Sequence, residues 1–229
     1  MQSMTDYILY GCGGFALEII EYLKNHSLHL ASINKYLEIS DIIDASGGRY
    51  EEACNALGYR PKFHHDISSL ENTDRKRMII CLGDPIVRQK QYQKLKNAGY
   101  QFGTLVHSSA LIASTAKIGE GTIICPFVFV GPFARIGPNC AINVRATIGH
   151  DVTLGTSTVI SPHADLNGAS SCGDAVFVGA GSLLDPGKSV GSFSKIASGA
   201  VVKQTFADGF LLAGNPAKGR KLLKVPEQL

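Results

Sequence analysis

One histidine in this sequence is placed where it can act as a general base. His150 is followed directly by Asp151, in the segment 147–151. An imidazole with an ordinary pKa of about 6.5 accepts a proton from an attacking amine or hydroxyl near neutral pH. A surface histidine without a chemical role is the alternative interpretation of the same residues.

A glycine-rich turn near the N-terminus can hold a phosphate group. Residues 11–16 read Gly-Cys-Gly-Gly-Phe-Ala, after an apolar run and before a helical pattern. In that context the backbone N–H groups at the helix N-terminus bind phosphate. No acidic residue follows about 20 positions later to bind the ribose of a dinucleotide, so we expect one nucleotide rather than NAD. A tight turn that only packs the helix on the sheet is the alternative.

Metal and thiol chemistry are not expected. His150 and His163 are thirteen residues apart, and His64 and His65 are adjacent, a spacing that turns their side chains apart on an extended chain. The six cysteines form no CxxC pair. They therefore predict buried thiols rather than a disulfide framework, a zinc site or an acyl-enzyme nucleophile.

The composition excludes several classes of function. The formal net charge is +3 on 229 residues, from 22 basic and 19 acidic side chains, which does not indicate a nucleic-acid-binding surface. No apolar run approaches the ~18–20 residues of a membrane span, and the polar start has no signal-peptide pattern. We therefore expect a cytoplasmic protein without membrane insertion.

The first part of the chain alternates between strand and helix patterns. Apolar spacing after residue 16 predicts a helix, and a second helix is bracketed by Asp84, Pro85 and Gly99. The pattern indicates a Rossmann-like βαβ domain with a parallel sheet over residues 1–105. Between the second and third apolar runs no element can be assigned. The runs that predict buried strands cover residues 7–10, 39–44 and 78–82.

A period of six residues governs residues 112–202. Stepping by six through this range meets Ile, Leu or Val at fifteen of sixteen positions, with Cys172 as the exception. Glycine often follows the aliphatic residue. The pattern is typical of a hexapeptide β-helix, whose triangular coils of eighteen residues each take three inward aliphatic side chains. Residues one coil apart share a column, so Pro132 and Gly168 flank His150 and leave its ring room to meet a substrate.

The repeat and the C-terminal run Gly-Asn-Pro-Ala-Lys at 214–218 resemble the left-handed β-helix acyltransferases. With the N-terminal glycine turn, the chain resembles the branch that contains nucleotide-sugar N-acetyltransferases and sialic acid O-acetyltransferases. The resemblance implies a left-handed parallel β-helix at 106–205 after the Rossmann-like domain, and a C-terminal tail at 206–229. It implies a homotrimer with active sites between subunits.

The implied reaction is direct acetyl transfer from acetyl-CoA to the amino group of a nucleotide-linked amino sugar. Acetyl-CoA is then a co-substrate, with no resident cofactor and no metal. By the same resemblance His150 is the general base and Asp151 its acidic partner, while Val159 and Phe15 stand where the family often has histidine. The substrate-binding positions that match are Gly13, Gly14, Phe15, Asp44, Gly83 and Asn143, and those for CoA are Val159, Gly168, Ala180 and Ser198.

Two other functions remain open at this stage. O-acetylation of a sialic acid or capsule sugar would use the same base on a hydroxyl group, and a non-catalytic nucleotide-sensing trimer would keep the fold without transfer. Arg145 is either a phosphate contact or a solvated corner. Three rings outside the inward column are expected at the trimer contact or in a groove: Phe127, Phe129 and Phe133.

Overall fold

The computed structural model describes residues 4–31, 36–71, 73–74 and 76–222. It divides into two compact units, Met1–Gly83 with Lys94–Gly103, and Asp84–Gln93 with Thr104–Leu229. The domain boundaries at residues 105 and 205 stay predictions. Residues 1–3 of the polar start and 223–229 of the expected tail lie outside the described residues. Within the described ranges no helix is long and apolar enough to cross a membrane.

The first unit contains a parallel sheet, and the strands and first helix expected from the sequence are confirmed. The apolar face of that helix is buried, with Ala16, Ile19 and Ile20 all at 0 % exposure. Sheet order is β3-β2-β1-β4, with every neighbouring pair parallel. The elements are β1 (Met4–Tyr10), α1 (Gly14–Ala31), β2 (Tyr36–Ile43), α2 (Tyr50–Leu57), β3 (Lys62–His64), β4 (Lys76–Ile80) and α3 (Pro85–Asn97).

The sequence patterns missed α2 and β3, because both are short, with eight and three residues. α2 ends at Gly58, whose φ of 77° is the left-handed C-cap that glycine favours. In contrast, the predicted start of α3 is confirmed, since the Asp84 carboxylate accepts hydrogen bonds from the N–H groups of Ile86 and Val87 at 2.9 and 3.0 Å.

The second unit is built on a parallel β-helix of two-residue strands, and the predicted period of six is confirmed. Partner strands are shifted by eighteen residues, as in Thr147 opposite Phe129 and Asp165. The second residue of each strand points inward, and all of these from Ile124 to Val202 are buried. The strands are β5 Leu105–Val106, β6 Leu111–Ile112, β7 Lys117–Ile118, β8 Ile123–Ile124, β9 Phe129–Val130, β10 Arg135–Ile136, β11 Ala141–Ile142, β12 Thr147–Ile148, β13 Thr153–Leu154, β14 Val159–Ile160, β15 Asp165–Leu166, β16 Ser171–Cys172, β17 Phe177–Val178, β18 Leu183–Leu184, β19 Ser189–Val190, β20 Lys195–Ile196 and β21 Val201–Val202.

These strands form three faces joined by three corners. The first face contains β5, β8, β11, β14, β17 and β20, the second β6, β9, β12, β15, β18 and β21, and the third β7, β10, β13, β16 and β19. We call the turn after a first-face strand the first corner, and likewise the second and third corners. After β21 the register changes, because Ile196 pairs with Leu212, sixteen residues on. The stack ends in an antiparallel pair, β22 (Phe210–Ala213) and β23 (Lys218–Lys221).

The glycine that follows an inward residue and the left-handed residue occupy different positions in the turn. The glycine that follows an inward residue is needed for space, since a Cβ on Gly137 would lie 2.7 Å from the backbone carbon of Gly155. Left-handed backbone comes two residues later. All fourteen positions from 121 to 199 in steps of six have positive φ, and ten of them are not glycine. Exposed turn residues of many types therefore follow a fixed backbone path.

A buried arginine fixes the first half of α3 within the second unit. Arg88 is 0 % exposed, and its Nε donates to the carbonyl oxygen of Asn139 at 2.6 Å. One terminal nitrogen donates to the carbonyl oxygen of Cys140 at 3.3 Å. The Asn139 amide returns a hydrogen bond to the Arg88 carbonyl oxygen at 3.3 Å and donates to Ser157 Oγ at 2.8 Å. The guanidinium thus satisfies third-corner carbonyl groups that have no access to water.

We expect Arg88→Met to lower the free energy of unfolding by about 3 kcal/mol, because it leaves buried carbonyl oxygens without donors. Chemical denaturation measures the loss. The matched control is Lys90→Met on the exposed side of the same helix, with an expected change under about 0.5 kcal/mol. Equal stability of the two variants would contradict the role given to Arg88.

Candidate functional site

His150 and Asp151 form a hydrogen-bonded pair at the second corner, between β12 and β13. His150 Nδ1 and Asp151 Oδ2 are 2.8 Å apart, and the two side chains are 66 % and 55 % exposed. The main chain is held by the coils on both sides. Asp151 N–H donates to the Pro132 carbonyl oxygen at 2.9 Å, and the His150 carbonyl oxygen accepts from Ala169 N–H at 2.8 Å.

This pairing determines which imidazole nitrogen can accept a proton. An ionised carboxylate only accepts hydrogen bonds, so Nδ1 carries the hydrogen that it shares with Asp151. In the neutral ring, Nε2 then has a free lone pair. His150 is thus oriented as a base, because the Asp151 carboxylate determines which ring nitrogen carries the hydrogen.

Gly168 gives the Nε2 side of the ring its space. A Cβ on Gly168 would lie 2.5 Å from His150 Cε1 and closer still to Nε2. The expectation that a bare glycine flanks the ring is therefore confirmed. Within the described part of the chain, the Gly168 N–H has no hydrogen-bond acceptor. The Gly168 N–H is thus a second polar group near the base.

Other predicted site residues lie at a different corner of the same chain. Asn143 follows a first-face strand, and its amide donates to the Ile160 carbonyl oxygen at 2.9 Å. Ala180 and Ser198 are exposed at the first corner, one coil apart. Val159 is only 3 % exposed on the first face, so its side chain offers a donor molecule almost no surface here. One chain therefore does not bring these residues to His150.

Arg145 also lies at the first corner, exposed and with φ of 58°. Its backbone N–H donates to the Pro126 carbonyl oxygen at 3.1 Å. The side chain thus belongs with Ala180 and Ser198, on the side of the coil away from His150.

In the first unit, the predicted nucleotide-binding glycines meet at one edge of the sheet. Gly13 and Gly14 follow β1, and Gly83 follows β4, the parallel neighbour of β1. All three are exposed, and a Cβ on any of them would meet nothing within 4 Å. Packing within the chain does not require glycine there, which leaves room for a ligand to approach the backbone. Phe15 is half-buried in the first turn of α1.

The carboxylate of Asp44, which follows β2, is hydrogen-bonded to neighbouring groups of the same chain. Its carboxylate accepts hydrogen bonds from Cys12 N–H at 2.8 Å and from the N–H and hydroxyl of Ser46 at 2.9 and 2.7 Å. Burial raises the pKa of Asp44, but these hydrogen bonds outweigh it and leave the pKa below its ordinary value. These hydrogen bonds hold the carboxylate against the turn at Cys12, and the substrate contact expected from the sequence stays a prediction.

Sequence reasoning missed the loop that closes over the glycine turn. Gly48 has φ of 49°, and a Cβ there would lie 2.5 Å from the Cys12 carbonyl oxygen. Arg49 N–H donates to that same oxygen at 2.7 Å. A cleft of about 300 Å³ beside this loop is lined in part by Tyr50 and Phe63. The adjacent glycines Gly47 and Gly48 were the feature of the sequence that could have indicated a close approach of this loop to the glycine turn.

Among the residues with described placement, no three His, Cys, Asp or Glu side chains are grouped so that they could hold a metal ion. No family profile matches the chain.

Solved structures match almost the whole chain. PerB from Caulobacter crescentus, crystallised in complex with CoA and GDP-perosamine, is 27 % identical and has a TM-score of 0.80. The match covers 94 % of this chain and 97 % of that one. The chain has the fold of the hexapeptide-repeat sugar N-acetyltransferases. The predicted class, a Rossmann-like domain followed by a left-handed parallel β-helix, is confirmed.

Two further structures share this fold. The acetyltransferase domain of PglB from Neisseria gonorrhoeae, in complex with acetyl coenzyme A, is 22 % identical with a TM-score of 0.81, over 95 % of this chain and 100 % of that one. WeeI from Acinetobacter baumannii is 24 % identical with a TM-score of 0.78, over the same shares of the two chains.

The pH dependence of stability tests the structural role of Asp44. Its lowered pKa means that the native state gains stability above the ordinary value of 3.8 and loses it as the pH falls through the folded-state pKa. We expect Asp44→Asn to have a lower free energy of unfolding than the wild type at pH 7, and we expect this difference in free energy to become smaller below about pH 4. Denaturant unfolding at pH values from 3 to 7 measures the free energy of both proteins. The control Asp74→Asn, at an exposed site in the same unit, should show no such narrowing.

Proposed function

We propose that this protein transfers an acetyl group from acetyl-CoA to the amino group of a nucleotide-linked amino sugar. The observation that carries the proposal is the His150–Asp151 pair beside Gly168, on a fold shared with an enzyme crystallised with CoA and GDP-perosamine. The sheet edge of the first unit, with its three exposed glycines, supplies the nucleotide site.

Each step of the proposed transfer can be assigned to a residue of this site. The amine of the acceptor attacks the thioester carbonyl carbon and gives its proton to His150 Nε2, while Asp151 holds the ring and stabilises the imidazolium. The negative charge that develops on the carbonyl oxygen is stabilised by the Gly168 N–H, which has no acceptor among the described residues. Collapse of the tetrahedral intermediate breaks the carbon–sulfur bond, and the leaving sulfur takes the proton from His150 Nε2, so that CoA is released as a thiol and the base is regenerated without a covalent enzyme intermediate.

The position of the CoA-binding residues supports a homotrimer with active sites between subunits. His150 and Gly168 lie at the second corner, whereas Ala180 and Ser198 lie at the first, so a neighbouring chain must supply the missing corner. The second face carries apolar side chains that suit such a contact, with Leu111 66 % exposed and Phe129 39 % exposed. Since acetyl-CoA and nucleotide sugars are cytoplasmic metabolites, a cytoplasmic location is part of the proposal.

Substitution of His150 tests the base. We expect His150→Ala to lower kcat by about 10²–10⁴-fold with the oligomer and CoA affinity unchanged, because only proton transfer is lost. Steady-state kinetics on amino sugars linked to UDP, GDP and dTDP measure the effect. The control is His163→Ala, an exposed histidine at the first corner, which should keep near-normal kcat. Normal turnover by His150→Ala would refute the assignment of the base.

The acceptor panel separates the proposed function from its alternatives. Acetylation of a hydroxyl on a free sugar, with none of the nucleotide-linked amines, would indicate an O-acetyltransferase. Binding of a nucleotide sugar without consumption of acetyl-CoA would indicate a sensing scaffold.

Gly168 gives a second test that does not substitute His150 itself. We expect Gly168→Ala to reduce kcat/KM by at least about tenfold, because the new methyl group displaces the ring from its position. The control Ala169→Gly changes the next residue at an exposed turn with φ of 58°, and we expect little loss of activity there. A crystal structure of Gly168→Ala with an unmoved His150 ring would show that the space is not required.

A further inference from the structure

One exposed aromatic ring is not explained by the fold. Phe133 has φ of 60° and is 59 % exposed. A bulky side chain is uncommon in left-handed backbone, and glycine stands at the same turn position in other coils, as at Gly121 and Gly187. Neither backbone conformation nor core packing therefore favours phenylalanine at this position.

The turn places Phe133 one coil below Asp151, the hydrogen-bond partner of the candidate base His150. Phe133 is eighteen residues before Asp151, and its neighbour Pro132 accepts the hydrogen bond from Asp151 N–H at 2.9 Å. Neighbouring coils lie about 4.8 Å apart. Phe133 N–H is itself fixed by Thr115 Oγ1 at 3.0 Å. The ring is thus held on an anchored backbone, one coil from Asp151.

The surroundings of His150 differ on its two sides. Gly168 occupies the coil above, where the missing side chain leaves space beside Nε2 and the N–H has no acceptor among the described residues, which suits the polar reacting atoms. Pro132 and Phe133 occupy the coil below and present only apolar surface. A sugar whose amine reaches Nε2 can extend past the outer edge of the His150–Asp151 pair to this apolar surface, one coil below Asp151.

We propose that the Phe133 ring is the floor of the acceptor subsite and packs against the C–H face of the sugar that carries the attacking amine. Pyranose rings present such a face, and an aromatic ring packs against apolar surface of this kind while the polar groups point sideways. Phe133 is then a substrate-binding residue, whose contact with the sugar is the same in the ground state and in the transition state. The inference rests on the proposed function and adds a contact to the sugar rather than to the nucleotide.

The test compares Phe133→Gly with Phe193→Gly. Both positions are left-handed turns, with φ of 60° and 59°, so glycine relieves the backbone equally. Phe193 follows β19 at the third corner, more than three coils further along, away from His150. Phe133→Tyr keeps the ring and serves as the rescue variant.

We expect Phe133→Gly to raise the KM of the nucleotide amino sugar about five- to tenfold with kcat within about twofold of wild type, because a ground-state contact is lost. The KM of acetyl-CoA and the Kd of the nucleoside diphosphate alone, measured by calorimetry, should not change. Phe193→Gly and Phe133→Tyr should both retain near-wild-type acceptor KM.

Three outcomes would overturn the role of Phe133. They are an unchanged acceptor KM in Phe133→Gly, an equal weakening of nucleoside diphosphate binding, and a loss of activity that follows dissociation of the oligomer in light scattering. If the wild type transfers acetyl to none of the nucleotide amino sugars, the proposed function itself fails and takes this inference with it. The wild-type assay therefore distinguishes the two failures.

Discussion

The eighteen-residue register between coils is the constraint on which the second unit depends. Each inward Ile, Leu or Val stacks on the one a coil away, and adjacent backbones approach so closely that the residue after it often has to be glycine. Full burial of one such side chain contributes about 1.5–3 kcal/mol, so a long column is stable without large aromatic residues. Eight of the 25 glycines occupy this position, and the column requires no tryptophan.

The same register separates the side chains that hold the fold from those that can do chemistry. The two outward turn residues lie outside the inward column, and the left-handed one accepts types as different as Arg145, Asp151 and Phe133. Because the backbone path is set by the coils above and below, a side chain placed there is positioned without support from the core. His150 gains its orientation from one neighbour in sequence, Asp151, and its space from one neighbour in the column, Gly168.

Periodic features could be predicted from the sequence, and features that depend on loop closure could not. The step of six located each inward residue, and it placed Gly168 beside His150 because column positions follow from arithmetic alone. The hydrogen bonds of Asp44 to Cys12 and Ser46 could not be predicted, because they depend on the path of the loop, which no period encodes. The burial of Val159 could not be predicted for a similar reason. The period of six places Val159 on the outside of the first face, but it does not show which other residues cover that face.

The change of register after β21 has a consequence for self-association. A stack of parallel coils ends in unpaired backbone N–H and C=O groups, which can template addition of another chain. Here the first face is closed at that end by the antiparallel strand β23, whose four residues are all exposed and include Lys218, Arg220 and Lys221. Positive charge on a short reversed edge strand disfavours end-to-end growth into fibres. The chain thus carries a terminator for a repeat whose geometry alone would allow indefinite extension.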